Sequence, residues 1–196
     1  FSRCKIAGND NDKEVDDDED NDDEIEDDDV EFVPAQYGDR PPFVVGKRVL
    51  ICDFSYPRET LLAMHESAAG LLVLDHHKTA AADLAGLSFA RFDMDRSGAG
   101  LTWDTLHPDK PRPPMIDHVE DRDLWRFELE GTAEFHAAMT AIPFSFGAWT
   151  DLAARAPARV IEDGHAILGF TRLIAQKFAD RATIGVLAGA TRHRVW

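Results

Sequence analysis

Apolar residues along this chain fall into short unbroken runs separated by stretches of mixed polarity. Arg48–Phe54 (RVLICDF) is such a run, and it holds an acid, Asp53, near its end. Leu71–Leu74 (LLVL) is a second, closing on Asp75-His76-His77, and Leu87–Phe92 is a third. Runs of this length bounded by turn residues predict buried strands. Between the first two, Pro57 suits the opening of a helix over Arg58–Ala68 with apolar residues at Leu61, Leu62 and Met64, and Gly70 ends the segment. Between the second and third, the Ala-rich Thr79–Ala85 predicts a shorter helix. Glu31–Tyr37 (EFVPAQY) predicts an edge strand because of its proline, and the Pro pair in Gly38–Gly46 a loop. The β-α-β-α-β alternation predicts an α/β fold, a parallel sheet flanked by helices. After Ser97 the pattern turns helical, with helices expected near 98–106, 114–122, 132–141 and 157–179.

Charge changes this picture at one end only. Net charge is −16, but residues 1–31 carry 16 acids against Arg3, Lys5 and Lys13. The stretch 10–31 (DNDKEVDDDEDNDDEIEDDDVE) repels itself and offers too little apolar surface to offset the entropy of ordering. The expected division is therefore an acidic disordered segment at 1–31, a folded domain at 32–185, and at 186–196 the start of a linker to a further domain. Phe1 and Trp196 both read as cuts in a longer protein. The remainder is nearly balanced in charge and has no basic stripe. That argues against binding along a long nucleic acid and leaves small phosphorylated substrates open. Two cysteines, Cys4 and Cys52, form no disulfide framework and suit a reducing, cytoplasmic compartment. No apolar run approaches the ~20 residues of a membrane span. A homodimer is compatible with a chain of this size.

The chemistry concentrates where strands end. In a parallel sheet the carboxyl ends of neighbouring strands share one edge, where open α/β folds bind their ligands. Asp53, Asp75, His76 and His77 are expected to meet there. A divalent cation is the simplest relief for like charges gathered at one place. Mixed carboxylate and imidazole donors favour Mn²⁺ or another divalent transition metal over Ca²⁺. Glu120-Asp121-Arg122-Asp123 forms a further acidic group before Leu124-Trp125. Ser97, before Gly98-Ala99-Gly100, either caps a helix or binds phosphate at its N-terminus. Trp103, Trp125 and Trp149 either pack the helical layer or stack a base. The histidines outside the pair, His118 among them, are expected on the surface or on helix faces.

The stretch ICDFSYPRETLLAMHESAAGLLVLDHHKTA resembles motifs II and III of the DHH phosphoesterases. SGAGLTWD followed by DHVEDRDLWRF resembles the segment leading to motif IV. The likeness is greatest to the oligoribonuclease and cyclic-nucleotide phosphodiesterase subgroup, and it covers roughly residues 32–180. It implies a first, metal-binding domain that hydrolyses phosphodiester bonds of small nucleotides or short oligonucleotides. It also implies roles: Asp53, His76 and Asp121 as metal ligands, His77 facing the substrate phosphate, and Asp75 orienting an imidazole. The family's first motif does not match. Ala7 stands where its histidine belongs and Lys13 where its glycine belongs, so Asp12 is the one candidate for the missing aspartate. None of these 196 residues resembles the family's second, substrate-binding domain. The rival reading is a non-catalytic fragment that binds one metal or a protein partner.

Overall fold

The computed structural model describes residues 30–182, and the backbone of Ser2–Ala7. Asp10, Asp12 and most of the acidic run lie outside the described residues, as does the expected linker at 186–196. Two compact units divide at Arg112/Pro113.

In the first unit, β1 (Ser2–Ala7), β2 (Val30–Ala35), β3 (Arg48–Cys52), β4 (Gly70–Asp75) and β5 (Ala90–Phe92) form one sheet in the order β2-β1-β3-β4-β5. Helices α1 (Arg58–Ser67) and α2 (Lys78–Asp83) make the crossovers β3-α1-β4 and β4-α2-β5, and α3 (Gly98–Leu106) follows. The crossovers produce what the alternation predicts: β3 pairs parallel with β4, and β4 with β5. The sheet is nevertheless mixed, because β1 runs antiparallel to both β2 and β3. The expected parallel pairing therefore holds for β3, β4 and β5 alone. Strand β1 lies inside the segment expected to be disordered, and β2 begins at Val30, within the acidic stretch. The physical reason is local. Ser2–Ala7 holds no acid, so the self-repulsion of the neighbouring run does not extend to it.

Alternation along β3 buries Val49 and Ile51, and Leu71 and Val73 of β4 join them beneath α1 residues Leu61 and Met64. Full burial of one such aliphatic side chain stabilises by about 1.5–3 kcal/mol. Arg58 ties the two crossover helices together. Its backbone N donates to Asp83 Oδ2 at 3.0 Å, and its guanidinium donates to the carbonyls of Asp83 and Ala85.

The second unit is helical: α4 (Pro114–Asp123), α5 (Thr132–Thr140), α6 (Phe146–Ala153) and α7 (Pro157–Ala179). Its core gathers Phe135, Ala138 and Met139 of α5 with Leu152 and Val160. Trp149 packs against that core, whereas Trp125 is 72% exposed and does not join the helical layer. No helix among the described residues is long and apolar enough to cross a membrane.

α5 and α7 approach so closely at Gly164 that an added Cβ would overlap the Glu134 carbonyl, while Gly169 faces open space. Gly164→Ala is expected to destabilise the second unit by about 1–3 kcal/mol, as overpacking does. Gly169→Ala is expected to stabilise it by up to about 1 kcal/mol through helix propensity. Chemical denaturation followed by tryptophan fluorescence checks both, and equal effects of the two substitutions would contradict the close crossing.

Candidate metal centre

The last paired residues of β3 and β4 are Cys52 and Leu74, so Asp53 and Asp75 follow at one edge of the sheet. The ladder runs one step further, with Asp53 N donating to the Leu74 carbonyl at 2.8 Å. Asp53 then turns out of the sheet with φ 57°, a left-handed conformation that Asp tolerates better than most residues. The first turn of α3 lies directly against it. A Cβ on Gly98 would overlap the Asp53 side chain, so only glycine permits this approach. Ser97 caps the same helix, its Oγ accepting from Gly100 N at 2.9 Å.

Asp75 is fully buried, and both of its oxygens are engaged. Oδ1 accepts from His76 N at 2.7 Å and His77 N at 3.2 Å, and it lies 2.6 Å from His77 Nδ1. Oδ2 accepts from Ser55 Oγ at 2.6 Å. An ionised carboxylate only accepts, so the His77 Nδ1 facing it carries the proton and Nε2 is the basic nitrogen. His76 Nε2 lies 3.1 Å from Asp53 Oδ1, and the two imidazoles meet edge to face at 4.8 Å. One ligand atom each from Asp53, His76 and His77 falls within 4.8 Å of the others. Asp53 is 41% exposed and His77 43%, so the group opens to solvent, while His76 at 13% sits deeper. A carboxylate and two imidazoles at this spacing could hold one metal ion. Ser55 had no signal in the sequence beyond its place two residues after Asp53.

Asp121 lies in the second unit, near the end of α4, and faces inward while Asp123 is exposed. Its carbonyl accepts from Arg126 N and Phe127 N. Its carboxylate accepts from Glu128 N at 2.8 Å, Leu129 N at 3.1 Å and Thr132 Oγ1 at 2.5 Å. Asp121 thus wraps the chain that follows α4 around itself, with Trp125 and Phe127 both held at positive φ. A cavity of about 210 Å³ beside it is lined by Asp117, Glu120, Asp121, Arg126, Glu128 and Leu129. Burial pushes the Asp121 carboxyl up, but the bonds from Thr132, Glu128 and Leu129, together with nearby His118, outweigh it and hold the pKa low. Of the two places expected for His118, surface or helix face, it takes a helix face, on α4. It is buried, stacks on Phe135 at 4.5 Å, and its Nδ1 lies 2.9 Å from Thr132 Oγ1. Because that hydroxyl donates to Asp121, His118 Nδ1 donates to the hydroxyl.

Burial lowers the pKa of His118 and of His136, and Arg122 adds to the effect at His136. All these shifts have one sign. The folded state binds fewer protons than the unfolded one, so stability is complete above the unfolded histidine value of about 6.5. It is lost as pH falls through the folded values, and Asp121 adds a further loss in stronger acid. The melting temperature of the second unit, read from Trp149 fluorescence, is expected to fall between pH 7 and pH 5. A flat profile would contradict the buried neutral histidines.

No family model matches the chain, and no solved structure matches it. Among curated proteins the chain is similar to an uncharacterized protein of Acanthamoeba polyphaga mimivirus, with 34% identity over 140 residues. The similarity covers 70% of this chain and 33% of that protein, so the chain spans about a third of the length of the curated relative it matches.

Proposed function

We propose that the chain is the metal-binding part of a phosphoesterase resembling the DHH family, acting on phosphodiester bonds of small nucleotides or short oligonucleotides. One observation carries the proposal: ligand atoms of Asp53, His76 and His77 converge within 4.8 Å at the ends of two adjacent parallel strands. The DHH run that closes β4 supports the family, and the open, polar edge supports a small anionic substrate. In this reading Asp53 and His76 hold a Mn²⁺-like ion. The ion, when bound, stabilises negative charge developing on the phosphoryl oxygens. Clamped by Asp75 through Nδ1, His77 turns Nε2 toward the substrate, where it accepts a proton or donates one to the leaving oxygen. The buried Asp75 carboxylate stabilises the imidazolium formed in that exchange, and Ser55 fixes its second oxygen. Lys78, exposed at the start of α2, adds positive charge next to the pair. The proposed set is confined to the first unit, and Asp121, the further ligand that the resemblance implies, belongs to the second.

A second reading, a fragment that binds one ion without efficient catalysis, is favoured by the direction of β1. Ala7, at its carboxyl end, pairs with Arg48 at the opposite edge of the sheet from Asp53. Ala7, which stands where the family's first-motif histidine would fall, therefore lies away from the centre.

Calorimetric titration with Mn²⁺ is expected to give a single weak site per chain, lost in His76→Ala. Hydrolysis of a dinucleotide is expected to be slight. His77→Ala is expected to retain the ion while lowering the residual turnover by about 10²–10⁴-fold, the range for a positioned acid–base group. Retention of metal binding by His76→Ala would overturn the centre. Two tight sites with robust turnover would overturn the fragment reading.

A further inference from the structure

Tyr37 lies beside this centre and has no part in the description so far. It follows β2 in the turn Gln36-Tyr37-Gly38-Asp39, closed by Asp39 N donating to the Gln36 carbonyl at 3.0 Å. The Asp39 carboxylate accepts from Gln36 N at 2.9 Å, locking the turn from the other side. Gly38 has φ 95°, the conformation that a type II turn demands at its third position. Tyr37 is therefore presented at the apex of a rigid turn, the residue as a whole 70% exposed. The ring rests on Phe54 at 5.1 Å, and Phe54 in turn packs edge-on against buried Tyr56 at 4.8 Å. Phe54 directly follows Asp53, so this stack fixes Tyr37 over the segment that carries the metal-centre carboxylate.

We propose that Tyr37 is a substrate-contacting residue of the Asp53–His76–His77 centre, its phenol donating a hydrogen bond to a phosphoryl oxygen of the bound phosphoester. The inference rests on reading that centre as a phosphoester site. Its logic is the need of a phosphate for donors beyond Lys78 and His77 Nε2. The two carboxylates can only accept, and His77 commits its Nδ1 proton to Asp75. A phosphate dianion needs donors around it, and an exposed phenol on a rigid turn supplies one at little entropic cost. Partial burial, then Asp75, then Asp53 raise the Tyr37 pKa. The hydroxyl thus lies within the field of both carboxylates and keeps its proton.

The test uses the whole chain loaded with Mn²⁺ and inorganic phosphate as the probe. Tyr37→Phe keeps the ring on Phe54 and removes only the hydroxyl. It is expected to weaken phosphate binding about tenfold, the scale of a hydrogen bond to a charged group, without changing Mn²⁺ affinity. Unchanged phosphate affinity in Tyr37→Phe, with wild-type binding that vanishes in His76→Ala, would overturn the role of Tyr37 and leave the centre standing. Failure of the wild-type, Mn²⁺-loaded chain to bind phosphate would overturn both. A second readout needs no metal. The chain has two tyrosines, so the difference in ultraviolet titration between wild type and Tyr37→Phe isolates the Tyr37 phenol. Asp53→Asn is expected to lower its midpoint, and an unmoved midpoint would place the hydroxyl away from the centre and overturn the proposal.

Discussion

The buried carboxylate of Asp75 is the constraint around which the first unit is arranged. A charge removed from water at the end of a central strand is tolerable only if every lone pair finds a donor. Four groups from three residues meet that demand: the Ser55 hydroxyl, the backbone amides of His76 and His77, and the His77 ring. Each bond has a second effect. The amides turn the chain sharply at the end of β4, the ring contact selects the tautomer of His77, and the Ser55 bond draws the chain after β3 toward β4. Satisfying one buried acid therefore orients the groups that face solvent, and the exposed residues inherit the rigidity of the core.

Asp121 solves a similar problem in the second unit by different means. Its partners are two backbone amides and a threonine hydroxyl, itself held by a buried histidine. The result is a tightly wound connection between α4 and α5 in which Trp125 and Phe127 adopt conformations that bulky residues rarely accept. The bonds to Asp121 supply the compensation. Both buried acids act as organisers of the backbone beside them.

Much of this was legible from spacing. Apolar runs ending in Asp53 and Asp75-His76-His77 announce strands with chemistry at their ends, and the helices between them dictate parallel pairing. The carboxyl edge was legible for that reason alone. What escaped depends on partners distant in sequence or on masking by composition. SRCKIA is a plausible strand, but beside twenty residues of dense acid its signal is swamped, and its antiparallel pairing with β3 has no local signature. His118 looks like an ordinary helix-face residue until Thr132, fourteen positions later, folds against it. The positive φ of Trp125 and Phe127 is invisible because neither is Gly or Asn. α6 has no counterpart among the expected helices, although Ser145 caps it and marks its start.

The position of β1 has a topological consequence. It sits between β2 and β3, and β3 is the strand that leads into Asp53. With β1 in place, β3 is an interior strand with hydrogen-bonding partners on both sides. Without it, β3 becomes an open border whose amides and carbonyls can template another chain. Between β1 and β2 the sequence runs through 22 residues dominated by acid. Salt screens the repulsion among charges so densely spaced. An equivalent strand from a second copy could close the border as well, making the same seam a route to strand exchange.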